Sequence, residues 1–244
     1  MRKRITAAAI SAAVLFGAVS GQALAAADNP SFSDIAGTSS RAQIEALQEL
    51  GIVKGVSSSE FHPEENLTGA QGVELIVRTM QLSLAAIDFK KAPTAEGFFT
   101  NVKNDAWYAD SFIIAHYNGL DLPADIDPAK PLTREQFAHY LVQALEKTGQ
   151  YPLIKMYINI QDEKDITVDY QGTIQRALLY KIVSLDADGN LHPQQIVNRA
   201  EAAAILFAAH EFVEAHKDNG QVDLESPEGA EEAPAASAPV EAAE

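Results

Sequence analysis

The sequence contains no cysteine and a single tryptophan, Trp107, among its 244 residues. Without cysteine there can be no disulfide bond and no cysteine-ligated metal site. Basic residues are also scarce, because 18 Lys and Arg stand against 34 Asp and Glu, and the formal charge is −16. A surface that binds nucleic acid needs a basic patch, so this balance argues against DNA or RNA as a partner.

Long apolar runs are confined to the N-terminus. A run over residues 5–19 follows three basic residues and leads into small residues around Ala25. This pattern predicts a cleaved signal peptide over residues 1–25, with an uncleaved N-terminal anchor as the alternative. No other run approaches the roughly 20 residues of a spanning helix, so we expect no membrane span in the mature chain. Cleavage would change the formal charge from −16 to −19, since three basic residues would be lost.

The remaining sequence repeats itself every 65 residues. Three segments align without gaps around Pro63, Pro128 and Pro193, namely residues 61–68, 126–133 and 191–198. An element that starts with Phe or Tyr opens each copy, at residues 32–34, 98–102 and 157–160. Such internal periodicity is typical of a repeat architecture, in which each unit packs on its neighbours.

Each copy contains two apolar-periodic stretches on either side of the aligned segment. In the first copy, Ile44, Leu47 and Leu50 recur at the spacing of one helix face. Each unit therefore reads as helix, loop, helix, and neither helix can bury its apolar face alone. We predict an all-α domain of three packed repeats.

Signals at the helix ends support this interpretation. Glycine follows the first helix in two copies, at Gly51 and Gly119, and is typical of a left-handed helix cap. Lys181 occupies this place in the third copy, so we expect a different cap there. The second helices begin with Thr or Asn followed three residues later by Gln or Glu, which is the pattern of a capping box.

The predicted boundaries are a signal peptide at residues 1–25, repeats at 28–84, 95–149 and 153–215, and a tail at 216–244. Eight acidic residues and no Lys or Arg occur from Asp218 to Glu244, along with many Ala and Pro. Large apolar residues are rare there, so we predict a disordered tail.

These motifs together resemble the S-layer homology family. The first copy has Phe32-Ser33-Asp34, Leu50-Gly51-Ile52-Val53 and Phe61-His62-Pro63; the second has Ala106-Trp107-Tyr108-Ala109 and Leu132-Thr133-Arg134-Glu135; the third has Leu191-His192-Pro193 and Val197-Asn198-Arg199-Ala200-Glu201. The resemblance implies a pseudo-threefold helical domain whose inter-repeat grooves bind secondary cell wall polysaccharide, often pyruvylated. It also implies that the threonine-arginine-alanine-glutamate segment contributes to the groove.

The candidate ligand-binding residues are Arg134, Arg199, Trp107, Thr133, Asn198 and Glu201. A cation at a helix start opposes the helix dipole, so helix stability does not explain Arg134 or Arg199. A guanidinium beside a helix N-terminus suits a small carboxylate such as a pyruvate ketal. The alternative is an arginine paired with a neighbouring acid. Gly69 holds this position in the first copy, which puts that copy's groove in doubt.

The other candidates also have structural alternatives. Thr133, Asn198 and Glu201 fit a capping box, and Trp107 could either stack on a sugar or anchor its helix in the core. The Asp-rich segment 186–190 lacks the glycine and glutamate of a calcium loop and reads as a turn, so we expect no metal. We expect no cofactor either.

Signal, repeats and tail account for the 244 residues, so we expect no catalytic domain and no catalytic residues. The expected function is a secreted, non-enzymatic protein that anchors to the bacterial cell wall through polysaccharide, in the S-layer region. Two alternatives are a degenerate module that docks another surface-layer protein and a wall-active enzyme targeted by the repeats.

Overall fold

The structure is a computed structural model that describes residues 32–151 and 156–217. The predicted signal peptide and all but the first two residues of the predicted tail lie outside the described residues. Six α-helices follow one another: α1 (Arg41–Glu49), α2 (Gly69–Thr79), α3 (Ala109–Tyr117), α4 (Arg134–Leu145), α5 (Gln171–Leu179) and α6 (Arg199–His216). Short 3₁₀ turns lie at Ser33–Ile35, Ala95–Gly97, Glu163–Asp165 and Val168–Tyr170. The predicted all-α class is confirmed, since the described ranges contain helices and only isolated β-bridges.

The second helix of each repeat begins at the predicted cap. The hydroxyls of Thr68 and Thr133 accept from the backbone N–H three residues on, at 3.3 Å in both cases. In both copies the glutamine at that third position reaches back to the cap backbone, which completes the capping box. Asn198 accepts from the Glu201 N–H at 2.8 Å, but the Glu201 side chain turns to Arg134 instead. The third capping box is therefore only half formed.

The first helices all end in the same way. Gly51, Gly119 and Lys181 take positive φ angles of 70°, 76° and 59°. The next residue then donates to a carbonyl five positions back, as Ile182 does to Ala177 at 2.8 Å. The prediction of a different cap at Lys181 is wrong, because the same backbone bonds hold this residue in a conformation that usually favours glycine.

The opening of the third repeat lies three residues later than predicted. Ser33 and Gln161 donate to equivalent carbonyls, those of Ser59 and Gly189. Asp162 accepts from the N–H groups of Leu191 and His192 as Asp34 does from those of Phe61 and His62. Tyr157, by contrast, is exposed. The shared feature is the aspartate that holds the loop, and it was missed because Ile160 replaces the aromatic residue beside it.

The three repeats meet in a closed triangle of backbone hydrogen bonds. Leu132 donates to Leu67 at 3.0 Å, Val197 to Leu132 at 3.1 Å, and Leu67 to Val197 at 2.9 Å. These residues are 65 positions apart and buried, so each repeat donates once and accepts once around a pseudo-threefold axis. All three repeats, including the second, therefore take part in the triangle.

The helices repeat this cyclic order. The second helices, α2, α4 and α6, contact one another in the centre. Each first helix packs on the second helix of the preceding repeat: α3 on α2, α5 on α4, and α1 on α6. Ile44 and Leu47 of α1 are fully buried, whereas Leu50, predicted on the same face, lies beyond the last turn and is 52% exposed. Because α1 closes the ring on α6, the repeats share one hydrophobic core.

No helix in the described part of the chain is long and apolar enough to cross a membrane.

Candidate functional site

The N-termini of the three central helices are built into the joints between repeats. The first two N–H groups of each helix donate to carbonyls of another repeat at 2.8–3.0 Å; the pairs are Gly69–Lys130, Ala70–Pro128, Arg134–Gln195, Glu135–Pro193, Arg199–Glu65 and Ala200–Pro63. The third N–H is taken by the cap side chain. These N–H groups are therefore not free to receive an anion, and any ligand role of the helix starts rests on their side chains.

Three equivalent grooves follow from the repeat geometry, each where one helix start faces the next repeat. Arg134, Arg199 and Gly69 occupy the same position in the three grooves, 65 residues apart. We name the grooves by these residues. Their surroundings differ sharply.

The Arg134 groove is open and encloses about 390 Å³. Its lining comes from Arg134 of the second repeat and from residues 182–186, His192, Glu201, Ala204 and Ile205 of the third. The Arg134 guanidinium donates through Nε to the Glu201 carboxylate and through Nη1 to the Leu191 carbonyl. With 18% of its side chain exposed, Arg134 keeps donors that can turn to a ligand.

A second charged group of this groove lies on its loop. Asp186 Oδ1 accepts from the N–H groups of Asp188 and Asn190, each at 2.9 Å, and Oδ2 contacts His192 Nε2 at 2.7 Å. The Asn190 N–H, followed by the His192 contact, lowers the pKa of Asp186 from 3.8 to about 2. The carboxylate is thus ionised and held in place by its own turn, as the turn prediction for this segment required.

The Arg199 groove is nearly closed, at about 20 Å³. Arg199 is 9% exposed and donates through Nε to the Phe61 carbonyl at 2.8 Å and through Nη2 to the Lys54 carbonyl at 3.0 Å. Its guanidinium lies over the Phe61 ring, 4.4 Å from the ring centre. Burial lowers the pKa of Arg199, an effect that Glu65 and Asp34 oppose. This arginine joins the third repeat to the first.

The Gly69 groove offers no side chain at the arginine position. A Cβ atom on Gly69 would lie 3.3 Å from the Asp127 carbonyl oxygen and 3.4 Å from Pro128 Cα. Both neighbours are backbone atoms, so glycine fits the close approach of the two repeats.

The structure brings Arg134 and Glu201 together in one groove. Thr133 and Asn198 act as helix caps. Trp107 is 65% exposed, with its ring edge against Tyr108, so its interpretation as a core anchor is wrong. It is not among the residues that line the Arg134 or Arg199 groove.

Sequence reasoning missed two groups at the joint of the second and third repeats. The first group is Asp186, which the sequence assigned only to a turn. The available signal was its contact residue His192, which recurs as His62 at the equivalent loop position of the first repeat. Glu135 is 3% exposed and accepts from the Thr167 N–H at 2.8 Å, the Thr167 hydroxyl at 2.7 Å and Gln194 at 2.9 Å. The sequence signal that could have identified Glu135 was a charged residue at a position where the first and third repeats have alanine.

Comparison with known proteins is consistent with this geometry. Residues 31–71 and 166–203 match the family model of the S-layer homology domain. The matches fall in the first and third repeats, and the second repeat is recognised by its place in the hydrogen-bonded triangle. S-layer homology domains mediate attachment to the cell wall.

Several curated proteins are similar to most of the chain. An amylopullulanase from Thermoanaerobacterium thermosulfurigenes is 27% identical over 180 residues, 72% of this chain and 9% of that protein. Exoglucanase XynX from Acetivibrio thermocellus is 26% identical over 180 residues, 72% of this chain and 16% of that protein. An endoglucanase from Bacillus sp. (strain KSM-635) is 24% identical over 190 residues, 75% of this chain and 19% of that protein.

The chain spans less than a fifth of the length of these relatives. The similarity therefore concerns one part of each relative, and the enzyme activity named for a relative is not transferred to this chain. The matches of the S-layer homology model to the first and third repeats confirm the family resemblance drawn from the motifs.

Proposed function

We propose that this protein is exported and holds onto the bacterial cell wall without a covalent bond, by binding secondary cell wall polysaccharide in the Arg134 groove. The observation that carries the proposal is the open groove beside a partly exposed arginine at the position where the family motif places it. The space beside Arg199 is far smaller, and the Gly69 groove has no arginine at the motif position. One groove of three therefore takes the ligand.

In this proposal Arg134 receives an anionic substituent of the polymer, and a pyruvate ketal is the expected group. A planar guanidinium can give two parallel hydrogen bonds to a carboxylate, which a lysine ammonium cannot. Glu201 holds the guanidinium in position across the groove. Thr133 and Asn198 cap the helices that carry Arg134 and Glu201, and Arg199 joins the third repeat to the first. Trp107 is a candidate for stacking on a neighbouring sugar.

The test is binding to purified cell walls with and without removal of the pyruvate ketal. Arg134→Ala should weaken binding about tenfold or more, because a charge-assisted hydrogen-bond pair is lost. Arg134→Lys should recover part of the affinity. Arg41→Ala is the matched control, since Arg41 is an exposed arginine paired with Glu45 on α1. Equal binding to walls stripped of polysaccharide would contradict the proposal.

We also propose that the chain is not itself an enzyme. Its relatives bear the names of glycosidases, but the chain covers only a small part of each. Release of reducing sugar from walls, pullulan or cellulose by the purified protein would overturn this point. Binding to walls that depends on another surface protein would instead favour the docking alternative.

A further inference from the structure

The Arg134 groove carries more negative than positive charge. Among the described residues that line it, Arg134 is the one lysine or arginine, and Glu201 already pairs with it. Asp186 adds a second carboxylate, which stays ionised down to about pH 2 because its pKa is lowered. Its Oδ2 lies 2.7 Å from His192 Nε2. A ligand whose only charge is an anion would meet this excess, on a chain whose formal charge is −16.

These carboxylates are particular to this groove. Val56 is the counterpart of Asp186 in the first repeat, because Val56 donates to the Glu60 carbonyl as Asp186 donates to that of Asn190, at 2.9 Å in both. Gln71 and Gln136 occupy the position of Glu201. The loop of the second repeat, from Gly119 to Pro128, is three residues shorter than its counterparts and has no equivalent turn. The repeat architecture therefore does not require Asp186 or Glu201 to be acidic.

We propose that the Arg134 groove takes a saccharide that carries a free amine beside its anionic group, with the ammonium received by Asp186. The inference rests on the proposed function and names the ligand class of the same site. Arg134 and Asp186 then form a pair of opposite subsites. A zwitterionic sugar satisfies both, whereas an acetylated amine brings no positive charge to the Asp186 carboxylate.

The experiment uses purified wall polysaccharide in two forms, fully N-acetylated and de-N-acetylated, each with and without its pyruvate ketal. The full-length protein should bind the de-N-acetylated polymer about tenfold more tightly than the acetylated one. Asp186→Asn keeps an oxygen for the turn and should lose this preference. Glu60→Gln removes the same charge from the exposed counterpart loop, beside His62, and should behave as the parent.

The outcomes separate the two proposals. If the parent binds both forms equally, or the acetylated form more tightly, the amine subsite is wrong while wall anchoring stands. If it binds neither form, the proposed function fails with it. If Asp186→Asn retains the preference at an unchanged melting temperature, Asp186 is not the amine receptor.

Discussion

Arg134 and Arg199 occupy the same position in the repeat, yet they differ in burial and in the groups that they contact. Arg134 lines an open groove and shares its guanidinium with Glu201 and one carbonyl. Arg199 is buried over the Phe61 ring and donates to two carbonyls of the first repeat. The contrast shows that the motif fixes the backbone position of the arginine. The residues of the next repeat determine which groups its guanidinium contacts.

The cause of the difference lies in the loop that each arginine faces. Phe61 stands where Leu191 stands in the other groove, and only the aromatic ring offers a face to the guanidinium. The Arg199 groove is thereby filled from within the protein. If the proposed function holds, one copy of the motif binds the ligand through Arg134, and another packs two repeats together through Arg199.

The largest expected effect is on stability at Arg199. Arg199→Ala should lower the free energy of unfolding by roughly 3 kcal/mol, since one buried and one partly buried carbonyl lose their donor and a cavity opens. Arg134→Ala should cost about 1 kcal/mol or less, because its pair is partly exposed. Urea unfolding of the two variants measures both values, and equal costs would remove the distinction between the grooves.

The fold could be predicted further than the site. The period of 65, the helix starts at Thr68 and Thr133, and the need of each helix for a partner together led to an all-α domain of three packed repeats. The pseudo-threefold arrangement came from the family resemblance. The site depends on contacts between residues far apart in sequence: Arg199 and Phe61 are 138 positions apart. No local pattern distinguishes a buried arginine from an exposed one when both start a helix.

Local rules failed where tertiary contacts overrode them. Lys181 takes a left-handed conformation because the backbone bonds of the helix end are kept without glycine. Ile160 opens the third repeat because the essential group there is the carboxylate of Asp162, which holds the loop N–H groups. Both cases show that the repeat preserves backbone hydrogen bonds more strictly than side-chain identity.

The helix caps should contribute equally in the Arg134 groove and the Gly69 groove. Thr133→Ala and Thr68→Ala should each lower the free energy of unfolding by about 1 kcal/mol, because each leaves one helix N–H without its acceptor. Thermal unfolding compares them, and Ser at either position should restore most of the loss. If Thr133→Ala weakens wall binding at temperatures where it is fully folded, Thr133 has a ligand role beyond its cap.

A double-mutant cycle sharpens the account of the closed groove. Phe61→Leu gives the first repeat the residue of the third, and it should reduce the cost of Arg199→Ala by about 0.5–1 kcal/mol, the value of the lost cation–π contact. Urea unfolding of the parent, the two single variants and the double variant measures the coupling. Strictly additive costs would mean that the ring does not hold the guanidinium.

The smallest expected effect is the pH dependence of stability from the loop of the open groove. The pKa of Asp186 is lowered to about 2 by the Asn190 N–H and by His192, whereas the unfolded value is about 3.9. A lowered pKa means that ionised Asp186 stabilises the folded protein above the unfolded pKa, and that this contribution is lost as the pH falls through about 2. Asp186→Asn should therefore be less stable than the parent at pH 5, and the difference should shrink between pH 4 and pH 2. Denaturant unfolding across this range measures it, with Asp188→Asn in the same turn as the control. A difference that stays constant with pH would show that the turn needs the shape of Asp186 and not its charge.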